Sequence, residues 1–172
     1  SQALRSAFDS PGRSVFLLGA GLEQSPETLA GSEYLEAVHG KVAGLPRVNL
    51  EAERRLHQLV LRAHAEGLLA SAHDCSDGGL AVALAECAIL GDQGFEGSVG
   101  HSGRLDAGLF GEGQGRIVVS LKGPAETRLV ELAQELGVPA TQVGVTVPLG
   151  TFAFGPIAAS LASLREAYES LI

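Results

Sequence analysis

Short apolar runs and longer amphipathic stretches alternate along the chain, separated by glycine and proline. Val15-Phe16-Leu17-Leu18, bounded by Arg13-Ser14 and Gly19, has the form of a buried strand. Before it, residues 1–13 read as a lead-in with at most a turn or two of helix, ending at Pro11-Gly12. Gly19 to Thr28 reads as loop, and Ser32 to Val38 as a short helix ending at His39-Gly40. A stronger helix follows Asn49, a residue suited to accept the free amides of a first turn. Ala52, Leu56, Leu59, Val60 and Ala63 form its apolar face and Gly67 closes it. Leu68 to Ala72 is an expected strand, residues 73–77 a polar turn, and the alanine-rich run to about Leu90 a close-packing helix ended by Gly91. Phe95 to Val99 is a further short strand, and 100–115 reads as a glycine-spaced loop in which His101, beside Ser102, faces solvent. Arg116 to Leu121 is the clearest strand. Pro124 opens a helix that Gly137 closes. Strands at Val143–Val147 and Thr151–Phe154 precede a last helix that starts near Pro156 and carries Leu161, Leu164 and Ala167.

This alternation predicts one α/β (α+β) domain over residues 1–172, a mixed sheet covered by helices on at least one face. A chain of 172 residues can bury a sizeable core, roughly 70% of its unfolded surface. Apolar residues at 45% and charged residues at 19% exclude wholesale disorder, and no apolar run is long enough for a membrane helix. A formal charge of -8, with Lys41 and Lys122 the only lysines, argues against nucleic acid or an anionic membrane as partner. Cys75 and Cys87 are too few for a disulfide framework and fit a reducing, cytoplasmic setting. The chain contains no methionine and begins Ser1-Gln2-Ala3, which suggests a domain cut from something longer.

Candidate chemistry is densest in Ser71-Ala72-His73-Asp74-Cys75-Ser76-Asp77-Gly78-Gly79, between a strand and a helix. A strand end feeding a helix start is where free amides favour an anion, and glycines allow close backbone approach. Ser76 or Asp77 can instead cap the helix with its own side chain. Asp74 and Asp77 can hold Mg²⁺, orient His73 or occupy the amides themselves. His73 reads as a positioning group rather than a base, and Cys75 lacks the orienting partners of a nucleophile. The second candidate is Leu109-Phe110-Gly111-Glu112-Gly113-Gln114-Gly115-Arg116. Its alternating glycines can shape an anion nest to which Arg116 adds charge, or simply form a tight turn. Glu112 can ligate a metal or pair with Arg116. Gly31-Ser32-Glu33-Tyr34 with His39-Gly40 is a third polar segment.

Gly31-Ser32-Glu33-Tyr34-Leu35, His39-Gly40, the Pro46–Leu50 approach, the run from Ser71 through Glu86, Leu109-Phe110-Gly111-Glu112 and Arg116 to Ser120 occur in an order that resembles a known family. The chain is similar to the C-terminal domain of the large synthase subunit of phosphoribosylformylglycinamidine synthase, in the aminoimidazole ribonucleotide synthase-related superfamily. That resemblance covers nearly the whole chain and rests most on the His-Asp-x-Ser-Asp-Gly-Gly-Leu-Ala-Val-Ala-Leu-Ala-Glu run. It implies a carbon–nitrogen ligase of purine biosynthesis that uses ATP, Mg²⁺ and glutamine-derived ammonia to convert formylglycinamide ribonucleotide to formylglycinamidine ribonucleotide. The domain alone is then expected to supply binding groups without turnover. The implied partners are preceding domains of the same subunit, a glutaminase subunit and a small accessory subunit. By position, Ser32, Ser76, Gly78, Gly79, Gly111, Gly113 and Arg116 are the implied phosphate-binding residues, with Asp74, Asp77 and Glu112 as implied metal ligands. Two departures stand out: Gly113 or Gly115 where relatives often have serine, and Ala30 where they often have glycine. Other expectations compatible with the fold are a different ATP-using member of the superfamily and a non-catalytic scaffold or regulatory domain.

Overall fold

The structure, a computed structural model, describes residues 3–20, 25–98, 100 and 103–170. Part of the expected loop (21–24), the strand end at Val99, and His101 with Ser102 lie outside the described residues. The strands are β1 Ser14–Gly19, β2 Leu69–Asp74, β3 Gly94–Gly97, β4 Arg116–Leu121, β5 Ala140–Val147, β6 Thr151–Phe154 and β7 Ile157–Ser160. The helices are α1 Glu33–His39, α2 Leu50–Ala65, α3 Gly79–Gly91, α4 Leu105–Phe110, α5 Glu126–Leu136 and α6 Leu161–Glu169, with a 3-10 turn at Pro26–Leu29.

The strands form one sheet in the order β2-β4-β1-β5-β3-β6-β7. Its pairings are antiparallel except for β3 beside β6, so the expected mixed sheet is present. Strand alternation sends successive side chains to opposite faces, and each face carries its own core. Val15, Leu17 and Val118 join Leu80, Leu84, Cys87 and the ring cluster Phe8, Phe95, Phe152 and Phe154. Phe16, Leu18, Val119 and Leu121 join Leu56, Leu59, Leu129 and Leu132 of α2 and α5 on the other side. Helices therefore cover both faces. Helix α3 is buried almost all round, which explains its alanines: small side chains let it lie close to the sheet and to its neighbours.

Several local expectations are corrected. The 100–115 loop contains α4, six residues whose Ala107, Gly108 and Leu109 are buried. The last helix begins at Leu161, capped by the Ser160 hydroxyl, because Ile157–Ser160 first turns back on β6 as a hairpin through Gly155 at φ +58°. The lead-in has no helix among its described residues. Arg5 instead bridges to Ser71 at the β2 edge, and Phe8 donates its backbone N–H to the Cys87 carbonyl at 3.0 Å. Strand β2 continues through His73 and Asp74, residues expected in the turn.

Candidate functional site

The end of β2 is fixed by its pairing with β4, in which His73 lies opposite Val118 and Asp74 opposite Ile117. Cys75 then donates its N–H to the Arg116 carbonyl at 3.0 Å, and Gly79 donates to the Ser76 carbonyl at 3.0 Å. Gly78 and Gly79 adopt φ +75° and +70°. A Cβ at Gly79 would lie 2.5 Å from the Gly111 carbonyl oxygen and 2.8 Å from the Phe110 carbonyl carbon, so glycine is required where the start of α3 meets the end of α4. The N-cap of α3 is Gly78, which offers no side chain to the first-turn amides. Neither Ser76 nor Asp77 is the cap: the Ser76 hydroxyl donates to the Asp74 carboxylate instead. That bond holds Asp74 below the usual carboxylate range, while burial pushes the Cys75 thiol up to about 11. A hollow of about 410 Å³ opens here, lined by Asp74, Cys75, Ser76, Asp77, Glu112 and Arg116 among others.

The 111–116 segment reaches this hollow from α4. Gly111 is packed so that a Cβ would lie 2.4 Å from Thr28 Oγ1, and the Glu112 N–H donates to the Thr28 carbonyl at 2.7 Å. Arg116 is 5% exposed. Its Nε donates to the Gly113 carbonyl at 3.2 Å and its Nη2 to the Gly111 carbonyl, so the cation stabilises the loop that leads into it. Glu112 does not pair with Arg116. One of its oxygens, Oε1, accepts N–H bonds from Gly78 at 2.8 Å and from Glu33 at 2.9 Å. A second, larger hollow of about 1150 Å³ lies beyond it, under the exposed 40–49 segment. Glu112, Glu53, Gln114 and Gly115 border both spaces.

His73 turns away from these spaces. Its Nδ1 lies 2.6 Å from the Asp74 carbonyl oxygen and its Nε2 lies 3.2 Å from Glu86 Oε2 on α3. The ring thus ties the last strand residue to the helix. Ser32 is 2% exposed, and its hydroxyl accepts the Leu35 N–H at 3.2 Å as the N-cap of α1. The structure therefore brings Asp74, Ser76, Asp77, Glu112 and Arg116 around one space, whereas Gly78 and Gly79 do not line it and form the start of α3, and Gly111 and Gly113 accept hydrogen bonds from Arg116. His73 and Ser32 act from outside that wall. Among the described residues no three His, Cys, Asp or Glu side chains form a group able to hold a metal ion. Sequence reasoning missed Glu86, Gln114 and Glu53 as neighbours of the site. Glu86 and Gln114 had a signal, their places within the runs that begin at Ser71 and Leu109, and Glu53 had none.

A family model described as AIR synthase related protein, C-terminal domain, matches residues 10–154. The chain is 42% identical over 168 residues to a phosphoribosylformylglycinamidine synthase subunit PurL from a Nocardioides species, covering 97% of this chain and 21% of that protein. It is 44% identical over 137 residues to the same-named subunit from Thermomicrobium roseum, covering 77% of this chain and 18% of that one. The chain thus spans about a fifth of the length of the curated relatives it matches. Among solved structures it is similar to Thermotoga maritima PurL complexed with FGAR, with a TM-score of 0.79, 19% identity, and coverage of 94% of this chain and 29% of that one. It is also similar to thiamine-monophosphate kinase from Stenotrophomonas maltophilia, with a TM-score of 0.61, 22% identity, and coverage of 92% and 54%. At these identities the structural likeness speaks for the fold.

Proposed function

The chain belongs to the family of AIR synthase related proteins, as their C-terminal domain, and from that premise we propose that it is the last domain of the large subunit of a cytoplasmic phosphoribosylformylglycinamidine synthase. In this reading the whole enzyme joins glutamine-derived ammonia to formylglycinamide ribonucleotide, with ATP converted to ADP and phosphate. This domain forms one wall of a nucleotide-binding cleft. The opposite wall, the glutaminase and the accessory protein lie in other parts of the assembly. The fifth of its relatives' length that the chain spans supports such a division, and PurLQS from Thermotoga maritima, with a TM-score of 0.73 to this chain, has the same fold in this region.

One geometric observation carries the assignment to this domain: the turn that leads into α3 places Asp74, Ser76 and Asp77 around one 410 Å³ hollow with Glu112 and Arg116. The positive end of the α3 dipole, next to this turn, favours a phosphate oxygen. Asp74 and Asp77 repel a bare phosphate at the same place, so a phosphate that arrives with Mg²⁺ is the better fit. Their oxygens suit that ion in kind, and the phosphate and the partner domains complete its shell. Mg²⁺ bound there would offset phosphate charge. Ser76 holds Asp74 through its hydroxyl, His73 holds the Asp74 carbonyl, and Arg116 brings a buried positive charge to the wall.

In the full-length subunit, Asp74→Asn and Ser76→Ala each lower kcat/KM for ATP by about tenfold or more, the loss expected for one charge-assisted contact. Unchanged kinetics in both variants, with the melting temperature preserved, would remove this turn from the nucleotide site. A scaffold role is the second reading. It is favoured by the way Ser32 and Arg116 already spend their polar groups within the chain. Calorimetric titration with ADP and Mg²⁺ separates the two: heat of binding supports the nucleotide wall, and a flat trace for both the chain and the full subunit supports the scaffold.

A further inference from the structure

Glu112 stands where three distant segments meet. It lies 34 residues from Gly78 and 79 from Glu33, yet a single carboxylate oxygen accepts both of their backbone N–H groups, at 2.8 and 2.9 Å. Gly78 is the N-cap of α3 and Glu33 is the first residue of α1, so these donors are two that a helix start leaves unsatisfied. The neighbouring residues make the same junction rigid. Phe110 stacks on Tyr34 with ring centres 4.9 Å apart and planes 2° from parallel, and Gly111 admits no Cβ beside Thr28. A carboxylate held in this way is an internal anion for two helix starts.

We propose that Glu112 is a positioning residue: its carboxylate clips the starts of α1 and α3 to the 111–116 loop and so sets the Asp74–Ser76 face of the hollow at the reach of a nucleotide phosphate. The phosphate half of this statement rests on the function proposed above; the clip itself does not. Gly78 then serves the site through the clip, with its N–H committed to Glu112, and Gly79 likewise donates to the Ser76 carbonyl within the turn. Glu112 Oε1 is thereby committed to two N–H donors rather than to a metal ion.

The test uses the 172-residue chain with Glu112→Ala and Glu112→Gln, the second of which keeps a carbonyl oxygen at the same reach. Amide hydrogen exchange is read at Gly78 and Glu33. Glu112→Ala is expected to speed exchange at both amides by about tenfold or more, with the rest of α3 protected, and Glu112→Gln to stay nearer the wild type. Unchanged exchange at both amides, loosening spread evenly over the domain, or a glutamine variant as fast as alanine overturns the clip. Titration with ATP, with and without Mg²⁺, supplies the second readout. Weaker binding in the alanine variant with retention in glutamine supports positioning. Loss of only the Mg²⁺-dependent part in the glutamine variant, with exchange unchanged, assigns Glu112 to the metal and overturns the proposal. A wild-type chain and full subunit that bind no nucleotide refute the function reading, and the exchange arm then decides the clip.

Discussion

The residues of the 73–79 run divide into groups that face the hollow and groups that hold the wall in place. Glycine at 79 belongs to the second kind. Its φ of +70° and the contact that a Cβ would make with the Gly111 carbonyl leave no room for a side chain. Gly79→Ala is expected to cost at least 1–3 kcal/mol, roughly the cost of a strained backbone residue, read as a fall in the urea midpoint. An unchanged midpoint would mean that α3 and α4 are not locked together there. Cys75 gives a pH-dependent prediction. Its folded thiol is raised from 9.0 to about 11 by burial, so the unfolded chain releases this proton first as pH rises. The stabilising contribution is complete below pH 9.0 and is lost between there and about 11. Urea midpoints across that window should fall less steeply for Cys75→Ala than for the wild type, and identical slopes would contradict the assignment. At this scale the sequence made the candidate run legible, because His, two carboxylates, a hydroxyl and paired glycines lie together. It did not show direction. That His73 faces Glu86 and that Glu112 bonds the amides of Gly78 and Glu33 depend on strand register and helix placement far along the chain.

Elements whose limits are set by nearby residues were readable, and those set by distant packing were not. Helix α2 is of the first kind: Asn49 Oδ1 accepts the N–H groups of Glu51 at 3.2 Å and Ala52 at 3.1 Å, as its sequence predicts. Asn49→Ala should destabilise the chain by ~1 kcal/mol, visible in the urea midpoint, while leaving the hollow at 74–77 unaltered. Strand β1 and strand β4 were equally plain, since each is a short apolar run with polar flanks. Helix α4 was missed because it is six residues long with a glycine inside it, and its helical form comes from packing against α3. Strand β7 was missed because Ile157-Ala158-Ala159 also suits a helix. Pairing with β6 decides the matter. The start of α3 combines both cases: its glycines were evident, and the Glu112 carboxylate that accepts the Gly78 N–H from 34 residues away was not.

At the scale of the whole molecule, the sheet has helices on both faces and two apolar cores, so the domain has the packing of an independent folding unit. The expectation of an α/β (α+β) fold with a mixed sheet covered by helices agrees with this architecture. The order of the strands could not be read, since neighbours such as β2 and β4 are joined only by long-range pairing. The same molecule carries two neighbouring hollows bordered in common by Glu112, Glu53, Gln114 and Gly115. Its relatives are about five times its length. The central claim is therefore that a self-contained fold supplies half of a reaction cleft. The most direct measurement is formation of formylglycinamidine ribonucleotide from formylglycinamide ribonucleotide, ATP, Mg²⁺ and ammonia, assayed with this chain alone and with the same chain as part of the full-length subunit. The account predicts no turnover above background for the chain alone and turnover for the subunit; robust turnover by the isolated chain would contradict it.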